Sequence, residues 1–94
     1  MALILIKFGS GREIAKTLLK ISEEGDNVLL IQDGVLWALD EKTVKDMENK
    51  KVNLYAAKED LEARGYTQRL NEGISILDYD GVIDLIEKNE KIIG

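Results

Sequence analysis

The chain of 94 residues carries a formal net charge of −5 at pH 7 and contains neither cysteine nor histidine. This length suits a single domain, which we expect to span residues 1–94, and the missing side chains exclude disulfides, thiolate nucleophiles and the usual zinc ligands. The acidic balance disfavours direct binding of nucleic acid, and no apolar run approaches the roughly 18 residues that cross a bilayer, so we expect a cytoplasmic protein.

Apolar segments that suit buried strands alternate with helical patterns along the chain. We predict four strands, at residues 2–8, 27–32, 51–56 and 73–77. The first helix follows Ser10, an expected N-cap with Glu13 three residues later. Ile14, Leu18 and Ile21 are spaced at i, i+4 and i+7, which predicts the apolar stripe of this helix. Gly25 is expected to close it in a left-handed conformation.

The second helical segment follows the dipeptide Asp33-Gly34. Asp33 is an expected N-cap, and the first turns, residues 35–39, are apolar all the way round. Residues 40–50 form either a polar continuation of this helix or a separate helix after a break.

Two further helices are predicted in the second half of the chain. One spans about residues 58–64, ends at Gly65, and carries the charged pairs Lys58–Glu62 and Asp60–Arg64 at i, i+4. The last helix is capped by Asp78 or Asp80. Its expected apolar stripe is Val82, Leu85, Ile86 and either Ile92 or Ile93.

The alternation of strands and helices predicts the fold class. Parallel strands joined by helical crossovers form a sheet that is covered on both faces. We therefore predict a three-layer α/β/α sandwich with an open, mostly parallel sheet of about four strands.

Candidate ligand-binding residues lie after the first two strands, because open α/β sheets bind ligands at the carboxyl ends of their strands. These candidates are Gly9, Ser10, Asp33 and Gly34. The glycine fingerprint of dinucleotide sites is incomplete, since Ile14 stands where its third glycine belongs. A tight turn and ordinary helix caps explain the same residues. No metal site and no cofactor is predicted.

Candidate interface residues lie in the apolar turns of the second helical segment, at Val35, Leu36 and Trp37. A helix that is apolar all round needs a second partner, and aromatic anchors are enriched at interfaces. The alternative is a helix wedged within its own core.

Four segments match one family pattern in order and spacing. They are EGDNVLLIQDGVLWAL at 24–39, VNLYA at 52–56, EDLEARG at 59–65 and ISILDYDGVIDL at 74–85. Together they resemble the DsrH/TusB family of DsrEFH-like sulfur-relay proteins, over nearly the whole chain. The combination of Q-D-G and A-R-G at this separation is the most specific part of the resemblance.

The resemblance implies a small α/β/α domain that associates with sister subunits. TusB-like members are non-catalytic subunits of a TusBCD-type complex, which passes persulfide sulfur toward the 2-thiouridine of the tRNA wobble position. DsrH-like members join the analogous assembly of sulfur oxidisers. The implied partners are a second copy of the chain, as a homodimer, or DsrE/DsrF-like or TusC/TusD-like subunits.

The resemblance also locates a missing cysteine. In some relatives a cysteine on the first helix is the candidate sulfur carrier. When Gly25 and the Q-D-G segment are matched to the family pattern, that position falls on Leu18, which cannot form a persulfide. TusB-like relatives also lack the cysteine. The resemblance therefore implies an accessory subunit rather than an enzyme.

Two other classes of function stay open on the residues alone. One is a stand-alone homodimer that binds a phosphate or nucleotide at Gly9, Ser10, Asp33 and Gly34. The other is a carboxylate-based enzyme, which the sequence disfavours because no motif positions a pair of acids.

Overall fold

The computed structural model describes residues 2–9, 13–66, 73–89 and 91–94, and within them five parallel strands form one sheet. The strands are β1 Leu3–Ile6, β2 Asn27–Leu30, β3 Asn53–Ala57, β4 Ile74–Leu77 and β5 Ile92–Ile93. They lie in the order β4-β3-β2-β1-β5. The helices are α1 Glu13–Ile21, a 3₁₀ helix Gln32–Leu39, α2 Glu41–Asn49, α3 Lys58–Ala63 and α4 Tyr79–Lys88. The predicted α/β architecture with an open parallel sheet is confirmed.

The two faces of the sheet are covered unequally. The chain steps from β1 to β4 in one direction, so right-handed crossovers put the first four helical segments on one face. Side chains from all four, including Leu19, Val35 and Leu61, join the larger core. The return from β4 to β5 runs the other way and makes α4 the one helix of the described residues on the second face, where Leu85 packs with Leu3 and Leu29.

The fifth strand corrects the prediction for the last helix. We expected Ile92 or Ile93 on the helical stripe, but α4 ends at Lys88 and both isoleucines form β5. The Asn89 side chain donates to the Leu85 carbonyl at 2.7 Å and so occupies one of the last helical acceptors. The strand then pairs with the free edge of β1, beginning at Leu3.

The buried side of α1 also differs from the prediction. Ala15 and Leu19 are buried, whereas Ile14 is 54% exposed and Ile21 51% exposed. Leu18 is only partly buried at the border of the core. The helix is therefore turned by one residue relative to the predicted stripe, since the small side chain of Ala15 lets α1 approach the sheet closely.

The second helical segment breaks in two, as one of the two alternatives predicted. A 3₁₀ helix runs from Gln32 to Leu39, and α2 begins separately at Glu41. The prediction that Asp33 caps the segment is wrong, because Ile31 occupies the N-cap position and Asp33 lies in the first turn. Asp33 is not the cap because the 3₁₀ helix begins at Gln32, two residues earlier than expected.

Three predicted helix ends are tested by the backbone. Asp78 caps α4 by accepting from the Gly81 N–H at 2.8 Å. Gly65 follows α3 with φ +70°, and Gly25 has φ +88° in the turn before β2, although α1 ends earlier, at Ile21. The expected capping by Ser10 lies outside the described residues.

A ladder of amide side chains crosses the amino-terminal edge of the sheet. Asn53 donates to Asn27 at 3.0 Å, and Asn27 donates to Asn89 at 3.2 Å. Asn27 is buried, so both of its amide atoms are satisfied away from solvent. We call these three residues the asparagine ladder, and it joins β3, β2 and the end of α4.

Candidate functional site at the carboxyl edge of the sheet

The carboxyl ends of β1 and β2 meet through a close backbone approach. A β-carbon on Gly34 would overlap the carbonyl oxygen of Ile6, so only glycine fits between the 3₁₀ helix and β1. Gly9 lies next to the same helix, with its β-carbon position 3.3 Å from Leu36 Cδ2 and 3.5 Å from the Asp33 carbonyl oxygen. The fold therefore brings Gly9, Asp33 and Gly34 together at the carboxyl ends of β1 and β2.

The turn that leads out of β2 is held by an acid from α3. Gln32 has φ +52°, a conformation that non-glycine residues rarely adopt. Its backbone N–H donates to Asp60 Oδ2 at 2.8 Å. The carboxylate of Asp60 on α3 thus stabilises the left-handed backbone conformation of Gln32.

An arginine connects this turn to α3. Arg64 donates to Asp33 Oδ1 from Nη2 at 2.9 Å and from Nε at 3.3 Å. Its Nη1 lies 3.8 Å from Asp60 Oδ1, so the expected Asp60–Arg64 pair is confirmed. The other expected pair, Lys58–Glu62, does not form an ion pair among the described residues. We call Gln32, Asp33, Asp60 and Arg64 the edge network.

The geometry limits what the four ligand-binding candidates can do. Gly34 has no open space around it, and its N–H donates to the Ile31 carbonyl at 2.9 Å. The Asp33 carboxylate is occupied by Arg64, and a carboxylate would repel a phosphate. Gly9 is only partly exposed, and Ser10 lies outside the described residues. The contacts of Asp33 and Gly34 are therefore those of a braced turn, and the ligand site stays a prediction.

The interface candidates divide into buried and accessible residues. Val35 and Trp37 are buried in this chain's own core, and the Trp37 indole Nε1 donates to the Phe8 carbonyl at 2.9 Å. Their burial agrees with the alternative of a helix packed within its own core, although Trp37 keeps 5% of its surface exposed, and the interface role of the two residues stays a prediction. Leu36 stays partly exposed beside Gly9.

Comparison with known proteins assigns the chain to a family. The profile of the family described as DsrH like protein matches residues 10–92. Protein TusB from Escherichia coli K12 is 38% identical over 73 residues, which cover 77% of each chain. The chain belongs to the DsrH-like family.

Two further relatives agree with this assignment. Protein TusB from Serratia proteamaculans is also 38% identical over 73 residues, with 77% of each chain covered. The solution NMR structure of Protein Tm0979 from Thermotoga maritima is similar over 100% of both chains, with a TM-score of 0.72 and 36% identity. The resemblance seen in the sequence is therefore confirmed, and the fold is similar to that of Protein Tm0979 over the full length of both chains.

Leu18 lines a small apolar cavity in this DsrH-like chain. The cavity measures about 70 Å³ and opens beside the carboxyl end of β1. Phe8 and Ile14 line the same cavity and are both substantially exposed, at 42% and 54%. Phe8, Ile14 and Leu18 together form an apolar surface beside the end of β1, which we call the β1 patch.

The edge network was not predicted from the sequence, although both segments that form it, Q-D-G and D-L-x-A-R-G, were recognised there. Q-D-G follows β2, and the D-L-x-A-R-G segment belongs to α3, which follows β3. Because β2 and β3 are parallel neighbours, the segments after them emerge at the same edge of the sheet. The order of the strands was the signal that would have joined them.

Metal-ligand clusters and membrane-spanning helices were sought among the described residues. Within residues 2–9, 13–66, 73–89 and 91–94, no three aspartates or glutamates cluster as a metal site would require. In the same part of the chain, no helix is long and apolar enough to cross a bilayer.

Proposed function

We propose that this DsrH-like protein is a non-catalytic subunit of a sulfur-relay complex, and that the complex passes persulfide sulfur toward the 2-thiouridine of the tRNA wobble position. The observation that carries the proposal is Leu18. It occupies the position of the candidate carrier cysteine of some relatives, and the sequence contains no cysteine at all. A chain without a thiol cannot hold the persulfide, so a partner subunit carries it.

The role of the chain in this proposal is to position that partner. TusC/TusD-like or DsrE/DsrF-like subunits are the partners that the family relationship favours over a second copy of the chain. The β1 patch supports the proposal, because it exposes the apolar side chains of Phe8 and Ile14 next to Leu18, the position of the candidate carrier cysteine in some relatives. The edge network keeps the neighbouring turn rigid.

The stand-alone binding module is the weaker alternative. It needs an open anion site at Gly9, Ser10, Asp33 and Gly34. The packing of Gly34 on Ile6 and the carboxylate at Asp33 both work against that site.

The function is tested in the native cell. Deletion of the gene is expected to abolish 2-thiouridine in hydrolysed tRNA, measured by mass spectrometry, and the wild-type gene is expected to restore it. Leu18→Val should restore it equally, since the proposal gives Leu18 no chemical part. Unchanged 2-thiouridine in the deletion strain would refute the proposal.

The interface is tested with two isoleucines of the same helix. Ile14→Gln is expected to weaken co-purification with TusC/TusD-like subunits, because it removes apolar area from the β1 patch. Ile21→Gln is the matched control, since Ile21 is almost equally exposed, at 51% against 54%, but lies at the other end of α1. Equal behaviour of the two variants would show that the β1 patch is not the interface.

A further inference from the structure

A second and larger concavity lies between α1 and α2, away from the carboxyl edge. It is a groove of about 580 Å³. Its lining consists of Lys16, Leu19, Lys20, Trp37, Asp40, Lys42, Thr43, Asp46, Met47, Asn49 and Lys50. The volume falls within the range of about 300–1,000 Å³ that is typical of small-molecule sites.

The floor of the groove is apolar and fixed. Leu19, Trp37 and Met47 are buried residues of the main core, each less than a tenth exposed. One end is closed by Lys50, whose Nζ donates to the Leu19 and Lys20 carbonyls at 3.3 and 3.1 Å. Because Lys50 satisfies the last carbonyls of α1, its charge is used within the fold.

The groove is basic although the protein is acidic. Four lysines and two aspartates line it, a local excess of positive charge in a chain of net charge −5. On the α2 side, Lys42 pairs with Asp46 at 3.0 Å, and Thr43 donates to Asp40 Oδ2 at 2.6 Å. The aspartates are therefore both engaged by neighbours on their own side of the groove.

The α1 side carries the positive charges that remain. Lys16 and Lys20 are exposed and form no ion pair with any residue in the described ranges. They stand four residues apart on one helix, where like charges repel. An anion placed between them would relieve this repulsion.

We propose that the α1–α2 groove binds a small organic anion with an apolar body. The apolar part lies on the floor formed by Leu19, Trp37 and Met47, and the anionic group lies between Lys16 and Lys20. Inorganic phosphate would not use the floor, and a neutral apolar compound would not use the lysines. An amphiphilic anion is the ligand that contacts both the apolar floor and the two lysines.

The test uses 1-anilinonaphthalene-8-sulfonate, an aryl sulfonate, as the probe of this chemistry. We expect it to bind the folded protein at one saturable site. Trp37 is the only tryptophan of the sequence and lines the groove, so its emission should fall by energy transfer to the bound dye. Lys16→Gln and Lys20→Gln should each weaken binding about threefold, and the double variant about tenfold, since each removes one partly solvated charge.

Three controls decide the outcome. Lys45→Gln should leave binding unchanged, because Lys45 lies on α2 outside the groove and pairs with Glu41 at 3.4 Å. The neutral analogue N-phenyl-1-naphthylamine should bind much more weakly, and circular dichroism should show every variant folded. The proposal fails if the dye does not bind, if the neutral analogue binds as tightly, or if Lys45→Gln weakens binding as much as Lys16→Gln. Binding of an acidic amphipathic peptide without binding of the dye would also overturn it.

Discussion

The two ends of the sheet are held by different chemistry. At the amino end the asparagine ladder uses neutral amides around the buried side chain of Asn27. At the carboxyl end the edge network uses charges, and the Asp33 side chain is 76% exposed. Buried polar groups cost much when they lose a partner, whereas exposed ion pairs contribute little. The amino end therefore serves stability, while the ion pairs of the carboxyl end serve local shape.

Gly34→Ala is expected to have the largest effect, and it separates backbone packing from ion pairing at the carboxyl end. The added methyl group would overlap the Ile6 carbonyl, which belongs to a central strand and cannot move aside cheaply. Overpacking of this kind costs about 1–3 kcal/mol, and we expect the upper part of that range. Urea unfolding followed by Trp37 fluorescence measures it. If Gly34→Ala lowers the free energy of unfolding by less than the loss of the exposed Arg64–Asp33 ion pair does, then packing does not hold the carboxyl end of the sheet.

Asn27→Ala is expected to have the second largest effect. It removes the acceptor of Asn53 and the donor to Asn89, and we expect a loss of about 2 kcal/mol in the free energy of unfolding. Asn53→Ala is the comparison, because it removes one of the two hydrogen bonds of Asn27 and leaves the buried Asn27 Oδ1 without its donor, so we expect a smaller loss. If both variants lose the same amount, the hydrogen bond from Asn27 to Asn89 adds nothing to stability.

Arg64→Gln is expected to change the local conformation of the turn at Gln32 more than the free energy of unfolding. The Arg64–Asp33 pair is largely solvated, so the loss should stay below about 1 kcal/mol. The amide resonance of Gln32 should shift, since its N–H bonds to Asp60, which Arg64 also contacts. NMR spectra and thermal unfolding of the same sample test both statements. A loss as large as that of Asn27→Ala would contradict the comparison.

Replacement of Lys42 is expected to have the smallest effect on stability. It serves as the reference for a fully exposed ion pair, here the pair of Lys42 with Asp46. The hydrogen bond and charge of Asp46 raise the pKa of Lys42 above its ordinary value of 10.5. A raised pKa means that the contribution is present below about pH 10.5 and is lost as the pH rises through the raised value. Lys42→Met should therefore differ slightly from the wild type at pH 7 and not at all at a pH well above the raised pKa of Lys42. Thermal unfolding at both pH values checks the sign.

Local patterns predicted most of the fold. Four strands were recognised from short apolar runs, and the end of α3 at Gly65 and the start of α4 at Asp78 were recognised from residue type alone. These features depend on neighbours in sequence, so they can be read without tertiary information.

Features that depend on distant residues were missed. Ile92 follows Leu85 by seven residues, a spacing that also suits a helix, and only the free edge of β1 selects the strand. On α1, both Ile14 with Leu18 and Ala15 with Leu19 are spaced for a stripe. The sheet selects the second pair because the smaller side chain allows closer packing. The contact of Arg64 with Asp33 likewise depends on strand order.

Within the part of the chain that the structure describes, α4 is the one helix on the second face, and this has a consequence for how the protein opens. Since α4 is the helix that covers Leu3 and Leu29 there, its detachment would expose that core while the opposite layer stayed packed. Such partial opening costs less than global unfolding. Backbone amides of α4 should therefore exchange with deuterium faster than those of β2, and a partially open form should be the species from which the protein aggregates.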